Sequence, residues 1–168
     1  MLLMAKTGVL RGELIAMDVT DINFADQSIL LKPTPKRSNR LVYFDAESET
    51  LLRRWLKVRQ GRNKRNDPAL FISQRNTRLE KFGINRVISS HAEKLGLHDP
   101  NSDRLEDHFT SHCFRHWLVT HLLRAGMSRD FVKELRGDAR REAIDVYNHI
   151  DKEELKESYL AHIPQLGI

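Results

Sequence analysis

The sequence has very little cysteine: Cys113 is the only one among 168 residues. A single thiol excludes an internal disulfide and a zinc site built from cysteines, and it is typical of a reducing compartment. No apolar run approaches the roughly 18–20 residues of a membrane span, and no segment is patterned like a signal peptide. Repeats and low-complexity stretches are also lacking. These absences favour one ordinary globular domain that acts inside the cell.

Charged side chains make up 30% of the residues, and the formal net charge is +5. This basic balance fits a polyanionic partner without identifying one. The segment 53–65 contains no acid, which suits contacts with backbone phosphates and is equally compatible with a solvated helix face. The basic residues that we predict to contact such a partner here are Arg54, Lys57, Arg62, Lys64 and Arg65.

The apolar pattern predicts a mainly α-helical domain with a small three-stranded antiparallel sheet near the N-terminus. Two prolines exclude residues 32–39 from a central strand, and beyond residue 45 apolar residues follow the helical period. The predicted strands are Val19–Phe24, Ser28–Leu31 and Arg40–Phe44. The predicted helices are Arg11–Met17, Asp45–Arg59, Glu80–Leu95, one capped by Thr110 or Ser111 and ending at Gly126, Ser128–Gly137, Ala139–Ile150 and Lys152–His162.

A basic cluster opens the predicted helix that follows Thr110. His112, Arg115 and His116 are spaced as neighbours on a helix surface, and we place them on the arc opposite the apolar face. The helix N-terminus favours a phosphate there. Arg115 can take two phosphate oxygens with its planar fork, and His112 can hydrogen-bond an oxygen or move a proton. Such HxxR pairs also arise by chance on solvated helices.

A metal site is the alternative interpretation of the histidines. His112 and His116 are four residues apart, a spacing that can share a zinc ion. No carboxylate lies beside them at helical spacing. The plainer interpretation is that both are ordinary helix-surface histidines.

The chain has three tyrosines, and each could supply a phenol nucleophile. Tyr147 lies on an apolar stripe with Ala143 and Ile150, so it could also be a core tyrosine whose hydroxyl reaches the rim. Tyr43 lies in a predicted strand, and Tyr159 lies in the tail helix.

Two other positions suit phosphate chemistry. Arg11 follows a break at Thr7-Gly8, and Glu13 could orient it; the alternative is a surface ion pair worth under about 1 kcal/mol. Lys36 lies at a hairpin tip, where a flexible ammonium could protonate a leaving oxygen or simply remain solvated.

In their order and spacing, these segments resemble the catalytic domain of the tyrosine recombinases, also called the phage integrase family. TGVLRGELIAMDVTDIN resembles the first arginine box, HCFRHWLVTHLLRAG the second, and ELRGDARREAIDVYNHID the final segment. The resemblance covers nearly the whole chain. It departs at Asp138, where the family usually has His or Trp, although the spacing to Tyr147 is kept. It departs also in the hairpin, whose length leaves Lys32 and Arg37 open beside Lys36.

The resemblance implies DNA strand cleavage and rejoining at a phosphate held by cationic side chains. Arg11 and Arg115 would grip the scissile phosphate and offset charge in the transition state, with Glu13 supporting Arg11. His112 would hydrogen-bond the phosphate or assist proton movement. These cations would take the place of a metal, so the resemblance implies no metal, nucleotide or other cofactor.

The remaining catalytic roles are implied in the same way. Tyr147 would attack phosphorus and form a 3′-phosphotyrosyl link that conserves the bond energy for rejoining. Lys36 would protonate the 5′-hydroxyl leaving group. Asp138 would position Arg115, Lys36 or Tyr147.

The resemblance also implies partners and organisation. The partner would be double-stranded DNA in the cytoplasm, with Arg37, Arg40 and His116 as further contacts and no membrane involved. The expected assembly is a homotetramer on paired sites, helped by DNA-bending proteins, with the tail 151–168 as a candidate swap element. Residues 1–168 would form one catalytic domain of a longer protein that also carries an N-terminal core-DNA-binding domain.

Three alternatives stay open from the sequence. Asp138 is compatible with a DNA-binding module of the same fold that has lost cleavage. A type IB topoisomerase-like enzyme would share the chemistry and relax supercoiled DNA without paired sites. A metal-dependent nuclease would use the histidines.

Overall fold

The computed structural model describes residues 1–33, 39–137 and 150–168. The predicted helix Ala139–Ile150 lies, apart from its last residue, outside the described residues. The predicted site residues Lys36, Arg37, Asp138 and Tyr147 also lie outside them.

The described residues form seven α-helices and one small sheet, which confirms the predicted fold class. Two short 3₁₀ turns, Val19–Asp21 and Leu105–Asp107, lie between the helices. The helices are α1 (Leu2–Thr7), α2 (Arg11–Ala16), α3 (Ala46–Arg62), α4 (Lys81–Lys94), α5 (Ser111–Arg124), α6 (Arg129–Arg136) and α7 (Lys152–His162).

The sheet is antiparallel in the order β1-β2-β3, with strands β1 (Ile22–Asn23), β2 (Ser28–Leu31) and β3 (Arg40–Tyr43). Its register places Ile29 opposite Val42. The prediction of a strand over Val19–Phe24 is wrong in its first half. The Asp21 carboxylate accepts the backbone N–H of Asp18 at 2.8 Å, and this cap turns the chain before the strand begins.

Polar side chains cap the starts of α3, α5 and α6, and the caps of α5 and α6 are among those that the sequence predicts. Asp45 accepts the N–H of Ser48 at 3.0 Å at the start of α3. Thr110 accepts from His112 at the start of α5, and Ser128 accepts from Phe131 at the start of α6. Each cap satisfies an N–H that has no partner within its helix.

The core has two parts that meet at the sheet. Because side chains alternate along a strand, Val42 of β3 packs into one part while Tyr43 packs into the other. In the first part, the four helices α1, α2, α3 and α4 pack against one face of the sheet. In the second part, α5, α6 and α7 pack against the other face. This arrangement brings the N-terminal helices and the C-terminal helices against the same short strand.

Helix α7 and the chain after it pack on the rest of the domain. Tyr159 donates its hydroxyl to the Lys6 carbonyl at 3.1 Å, and the Lys6 ammonium donates to the Pro164 carbonyl at 2.6 Å. Beyond it, the backbone N–H groups of residues 166–168 donate to the Glu47 carboxylate. Among the helices that the structure describes, none is long and apolar enough to cross a membrane.

Candidate active site

The start of α5 presents the predicted basic cluster, but its three members differ in exposure. His112 and His116 are exposed, whereas Arg115 is buried, with 7% of its surface accessible. Of the three residues that we placed on the arc opposite the apolar face, the two histidines therefore face solvent and Arg115 does not. Its side chain instead points into the domain, because two backbone carbonyls there replace water as its hydrogen-bond partners.

Arg115 connects three distant parts of the chain. One terminal nitrogen donates to the Gly8 carbonyl at 2.9 Å, and the other donates to the Arg136 carbonyl at 2.6 Å. Gly8 has a φ of 63°, which L side chains rarely adopt, and a Cβ there would crowd a Leu118 methyl of α5 at 3.0 Å. The loop before Arg11 thus meets both α5 and the end of α6 at this guanidinium.

Arg11 is the first residue of α2 and is partly exposed. In the parts of the chain that the structure describes, no hydrogen bond or ion pair holds its guanidinium. The same holds for the exposed His112 imidazole. Arg11 and His112 each lie in the first turn of a helix, where the positive end of the helix dipole favours an anion.

Glu13, the expected support of Arg11, contacts two other groups in the described residues. Its carboxylate accepts the N–H of Leu10 at 2.7 Å and forms a two-point ion pair with the Arg40 guanidinium at 2.5 and 3.1 Å. Glu13 lies on the buried side of α2, where an ion pair with a buried arginine replaces the solvation that its charge loses.

Arg40 was predicted to contact DNA, and the structure places it inside the domain. Its side chain is 6% exposed, and its Nε donates to the Leu135 carbonyl at 3.1 Å. With its nitrogens committed to Glu13 and to α6, Arg40 belongs to the framework of the site. Sequence reasoning missed this pair because its members are 27 residues apart.

The hairpin that contains Lys36 and Arg37 lies outside the described residues, but its rival Lys32 is described. The Lys32 ammonium donates to the Asp18 carboxylate and, at 3.1 Å, to the Ala16 carbonyl. The hydrogen bond with Asp18 raises the pKa of Lys32 above its usual value. Lys32 is therefore bound to the end of α2 and holds its proton more tightly than a solvated lysine.

The two described tyrosines are both buried and both donate a hydrogen bond. Tyr43 donates to the Lys152 carbonyl at 3.0 Å, and burial raises its pKa to about 12. Tyr159 donates to Lys6, and burial raises its pKa well above the usual value. Neither phenol is available as a nucleophile, and Tyr147 lies outside the described residues.

The predicted basic surface is present on α3 and the loop after it. Two arginines of the same segment are occupied elsewhere: Arg53 lies 4.2 Å over the Phe24 ring, and the buried Arg59 donates to the carbonyls of Asp67 and Ala69. The exposed members are Arg54, Lys57, Arg62, Lys64 and Arg65.

Metal ligation has no cluster to support it in the described part of the chain. Within residues 1–33, 39–137 and 150–168, no group of three or more His, Cys, Asp or Glu side chains could hold a metal ion. The thiol of Cys113 accepts the N–H of Thr110 at 3.3 Å and so takes part in the N-terminal cap of α5.

Comparison with known proteins adds independent information. Residues 1–154 match the family model described as the phage integrase family. A tyrosine recombinase XerC from Herpetosiphon aurantiacus is 33% identical over 151 residues, which cover 88% of this chain and 45% of that protein. A XerC from Actinobacillus pleuropneumoniae is 31% identical over 163 residues, which cover 97% of this chain and 50% of that protein. This chain spans about half the length of these relatives.

Solved structures give the same result. The crystal structure of XerA recombinase is similar with a TM-score of 0.72 and 27% identity, covering 97% of this chain and 56% of that one. XerH recombinase bound to palindromic difH substrate shares the fold, with a TM-score of 0.67 and 24% identity over 93% of this chain and 42% of that one. The motifs, the fold and the match over most of the sequence lead to one conclusion: this chain belongs to the phage integrase family, the tyrosine recombinases.

Proposed function

We propose that this chain catalyses site-specific DNA recombination by cleaving and rejoining strands through a covalent 3′-phosphotyrosyl intermediate. The observation that carries the proposal is the position of Arg115. Its guanidinium binds the carbonyl of Gly8, three residues before Arg11, and that of Arg136, two residues before Asp138. The Arg115 side chain therefore connects the segment just before Arg11 with the segment just before Asp138, and both segments lead into motifs that the reaction needs.

The phosphate is held by Arg11, Arg115 and His112. Hydrogen bonds to two backbone carbonyls fix the plane of the Arg115 guanidinium. Little conformational entropy of this side chain is therefore lost when a phosphate binds. Arg11 and His112 approach from the starts of α2 and α5, and both can reorient toward an anion. Together they offset the charge that develops on phosphorus-bound oxygens in the transition state.

Tyr147 is the nucleophile in this proposal. The other two tyrosines are buried, donate to backbone carbonyls and have raised pKa values, which leaves Tyr147 as the third and last phenol of the sequence. Its hydroxyl passes its proton to a base, for which the His112 imidazole is the candidate, and its oxygen bonds to phosphorus while the bond from phosphorus to the 5′ oxygen breaks. Rejoining reverses both changes, so no bond energy is lost to water.

Lys36 supplies the proton to the leaving 5′ oxygen. The ion pair of Lys32 with Asp18 supports this choice, because it removes one rival from the hairpin. Arg37 is a poor proton donor, since an arginine does not lose its proton in proteins. Asp138 would act by positioning Arg115, Lys36 or Tyr147.

Double-stranded DNA is the proposed partner, and the cytoplasm is the proposed compartment. XerH and the Tn1549 integrase are described in complexes with DNA. The exposed basic face of α3, together with His116, would contact backbone phosphates. A homotetramer on paired sites, DNA-bending helper proteins and exchange of the tail 151–168 between protomers complete the proposal, although in this structure the tail packs on its own domain.

The test is capture of the covalent intermediate. Genomic DNA from the organism that carries the gene is fragmented, nicked at random and incubated with the protein. Protein-bound fragments are then collected under denaturing conditions and sequenced. We expect adducts at a small set of related sites, unchanged by a metal chelator, and their complete loss in Tyr147→Phe.

Two matched variants serve as controls. Tyr43→Phe and Tyr159→Phe each remove one phenol from the same protein. We expect each of these variants, if it is folded, to form the adduct. An adduct that survives in Tyr147→Phe would refute the nucleophile. A folded parent that binds these fragments without forming any adduct would favour a DNA-binding module that has lost cleavage. Adducts at unrelated sites, with relaxation of supercoiled plasmid by the protein alone, would favour the topoisomerase-like alternative.

A further inference from the structure

Arg40 lies at the junction of three elements. It is the first residue of β3, its terminal nitrogens form the two-point pair with Glu13 of α2, and its Nε donates to the Leu135 carbonyl of α6. The side chains of Arg40 and Glu13 are only 6% and 2% exposed. An arginine so deeply buried is costly to desolvate, and an apolar pair of similar volume often gives equal or greater stability. Its role is therefore one that stability alone does not explain.

The end of α6 is where Arg40 acts on the site. The last carbonyls of a helix have no partner within the helix and favour a nearby cation. Here the Leu135 carbonyl is bound by Arg40 and the Arg136 carbonyl is bound by Arg115. Two guanidinium groups from other elements thus cap the last turn of α6.

Gly137 completes the contact. Its φ is 64°, and a Cβ at this position would lie 2.7 Å from Cδ and Nε of Arg40 and 2.9 Å from Cζ. The backbone therefore passes directly over the Arg40 side chain, at a distance that only glycine permits. From Gly137 the chain continues to Asp138 and Tyr147.

The same side chain lies close in sequence to the other reacting groups, or binds residues that do. Arg40 is four positions beyond Lys36, and its partner Glu13 is two positions beyond Arg11. We propose that Arg40 is a positioning residue for strand cleavage: it fixes the spacing between α2, β3 and the end of α6. This inference rests on the proposed function. It assigns Arg40 no contact with DNA.

The first test measures the last turn of α6 and needs no activity. Amide hydrogen exchange of residues 135–137 is followed by NMR in the parent, in Arg40→Met and in the double variant Glu13→Met/Arg40→Met. The double variant removes both buried charges, so it keeps the domain folded if the pair has no other use. We expect exchange of these amides to rise about tenfold in both variants, the effect of one lost hydrogen bond.

Arg78 provides the matched control. It also donates to two carbonyls, those of Ile15 and Met17, and pairs with the Asp18 carboxylate. These contacts are at the C-terminal end of α2 and involve no residue of α6. Arg78→Met therefore removes the same kinds of bonds, and we expect it to leave exchange of residues 135–137 at the parent rate.

The second test measures cleavage at the sites captured for the parent protein. We expect Glu13→Met/Arg40→Met to form the adduct at least about tenfold more slowly at saturating DNA, with DNA affinity within about twofold of the parent. Arg40→Lys keeps a charge for Glu13 but cannot reach α6 with the same planar fork, so it should fold like the parent and still cleave slowly.

Two outcomes would overturn the inference. One is a folded double variant whose residues 135–137 exchange at the parent rate. The other is a double variant that cleaves at the parent rate, because the pair would then serve stability alone. Failure of the proposed function looks different: no protein forms an adduct, while hydrogen exchange still decides whether Arg40 holds the end of α6.

Discussion

The buried Lys6 offers a sharp test of how this fold is held together. Its side chain is fully buried, and its ammonium donates to the carboxylates of Asp45 at 2.6 Å and Glu47 at 2.5 Å and to the Pro164 carbonyl at 2.6 Å. It therefore joins α1 to the start of α3 and to the chain after α7. The change Lys6→Met keeps most of the apolar stem of the side chain and removes the ammonium with the three hydrogen bonds that it donates.

The expected magnitude follows from what the change leaves behind. The Asp45 side chain is 5% exposed, so its carboxylate would stay buried without its cation. Removing one partner of a buried ion pair costs about 3–5 kcal/mol, which is a large share of the roughly 5–15 kcal/mol that stabilises a typical domain. We therefore expect Lys6→Met to lower the free energy of unfolding by about 3–5 kcal/mol.

Urea unfolding followed by circular dichroism measures this change, and a second variant tests its cause. Asp45→Asn removes the buried carboxylate charge that Lys6→Met leaves without a partner. Asparagine keeps a side-chain oxygen for the Ser48 N–H and caps helices as well as aspartate does. The double variant Lys6→Met/Asp45→Asn should regain about 1–3 kcal/mol over Lys6→Met. A loss below about 1 kcal/mol in Lys6→Met, the value of an exposed ion pair, or no recovery in the double variant would refute the reasoning.

Three further predictions concern pH, catalysis and DNA binding. Hydrogen bonds from Lys6 and from the backbone of residues 166–168 lower the pKa of Glu47 from 4.5 to about 2. The contribution of Glu47 to stability is therefore complete above pH 4.5 and is lost as the pH falls toward 2. Thermal unfolding of Glu47→Gln should accordingly show a smaller loss of stability at acid pH than the parent shows. Lys36→Ala should slow cleavage of ordinary DNA in a gel assay but cleave a 5′-bridging-thiol substrate, which needs no acid, at the parent rate; equal rates on ordinary DNA would remove Lys36 from the mechanism. The exposed pair Arg54 and Lys57 should contact phosphates. Changing both to Ala should reduce the steepness of log affinity against log salt concentration by about 1.8, measured by fluorescence anisotropy. An unchanged slope would mean that DNA does not contact this pair.

Local patterns in the sequence were sufficient for most of the secondary structure. Strand Ser28–Leu31 and tail helix Lys152–His162 have the predicted bounds, because alternation and helical spacing are properties of neighbouring residues. The caps at Thr110 and Ser128 were equally predictable, since a cap acts within three residues. The strand over Val19–Phe24 was half wrong because a single cap at Asp21 outweighed the alternation of apolar residues.

The roles of the arginines could not be read in the same way. Arg40 and Arg115 look like solvated basic residues in the sequence, and both are buried in the structure. Their partners are a carboxylate and backbone carbonyls that lie 21–107 residues away along the chain. Arg54 and Lys57, by contrast, are exposed as the sequence suggested.

The sequence by itself determined the family, the fold class and the residue types that a phosphate requires, because those depend on motifs and on spacing along the chain. Only the tertiary structure decided which cations face solvent and which ones hold the framework. It also decided that Tyr43 and Tyr159 are bound to carbonyls and that Lys32 is bound to Asp18. The physical reason is that burial and hydrogen-bond partners arise when distant segments pack together, and no local pattern records which segments will meet.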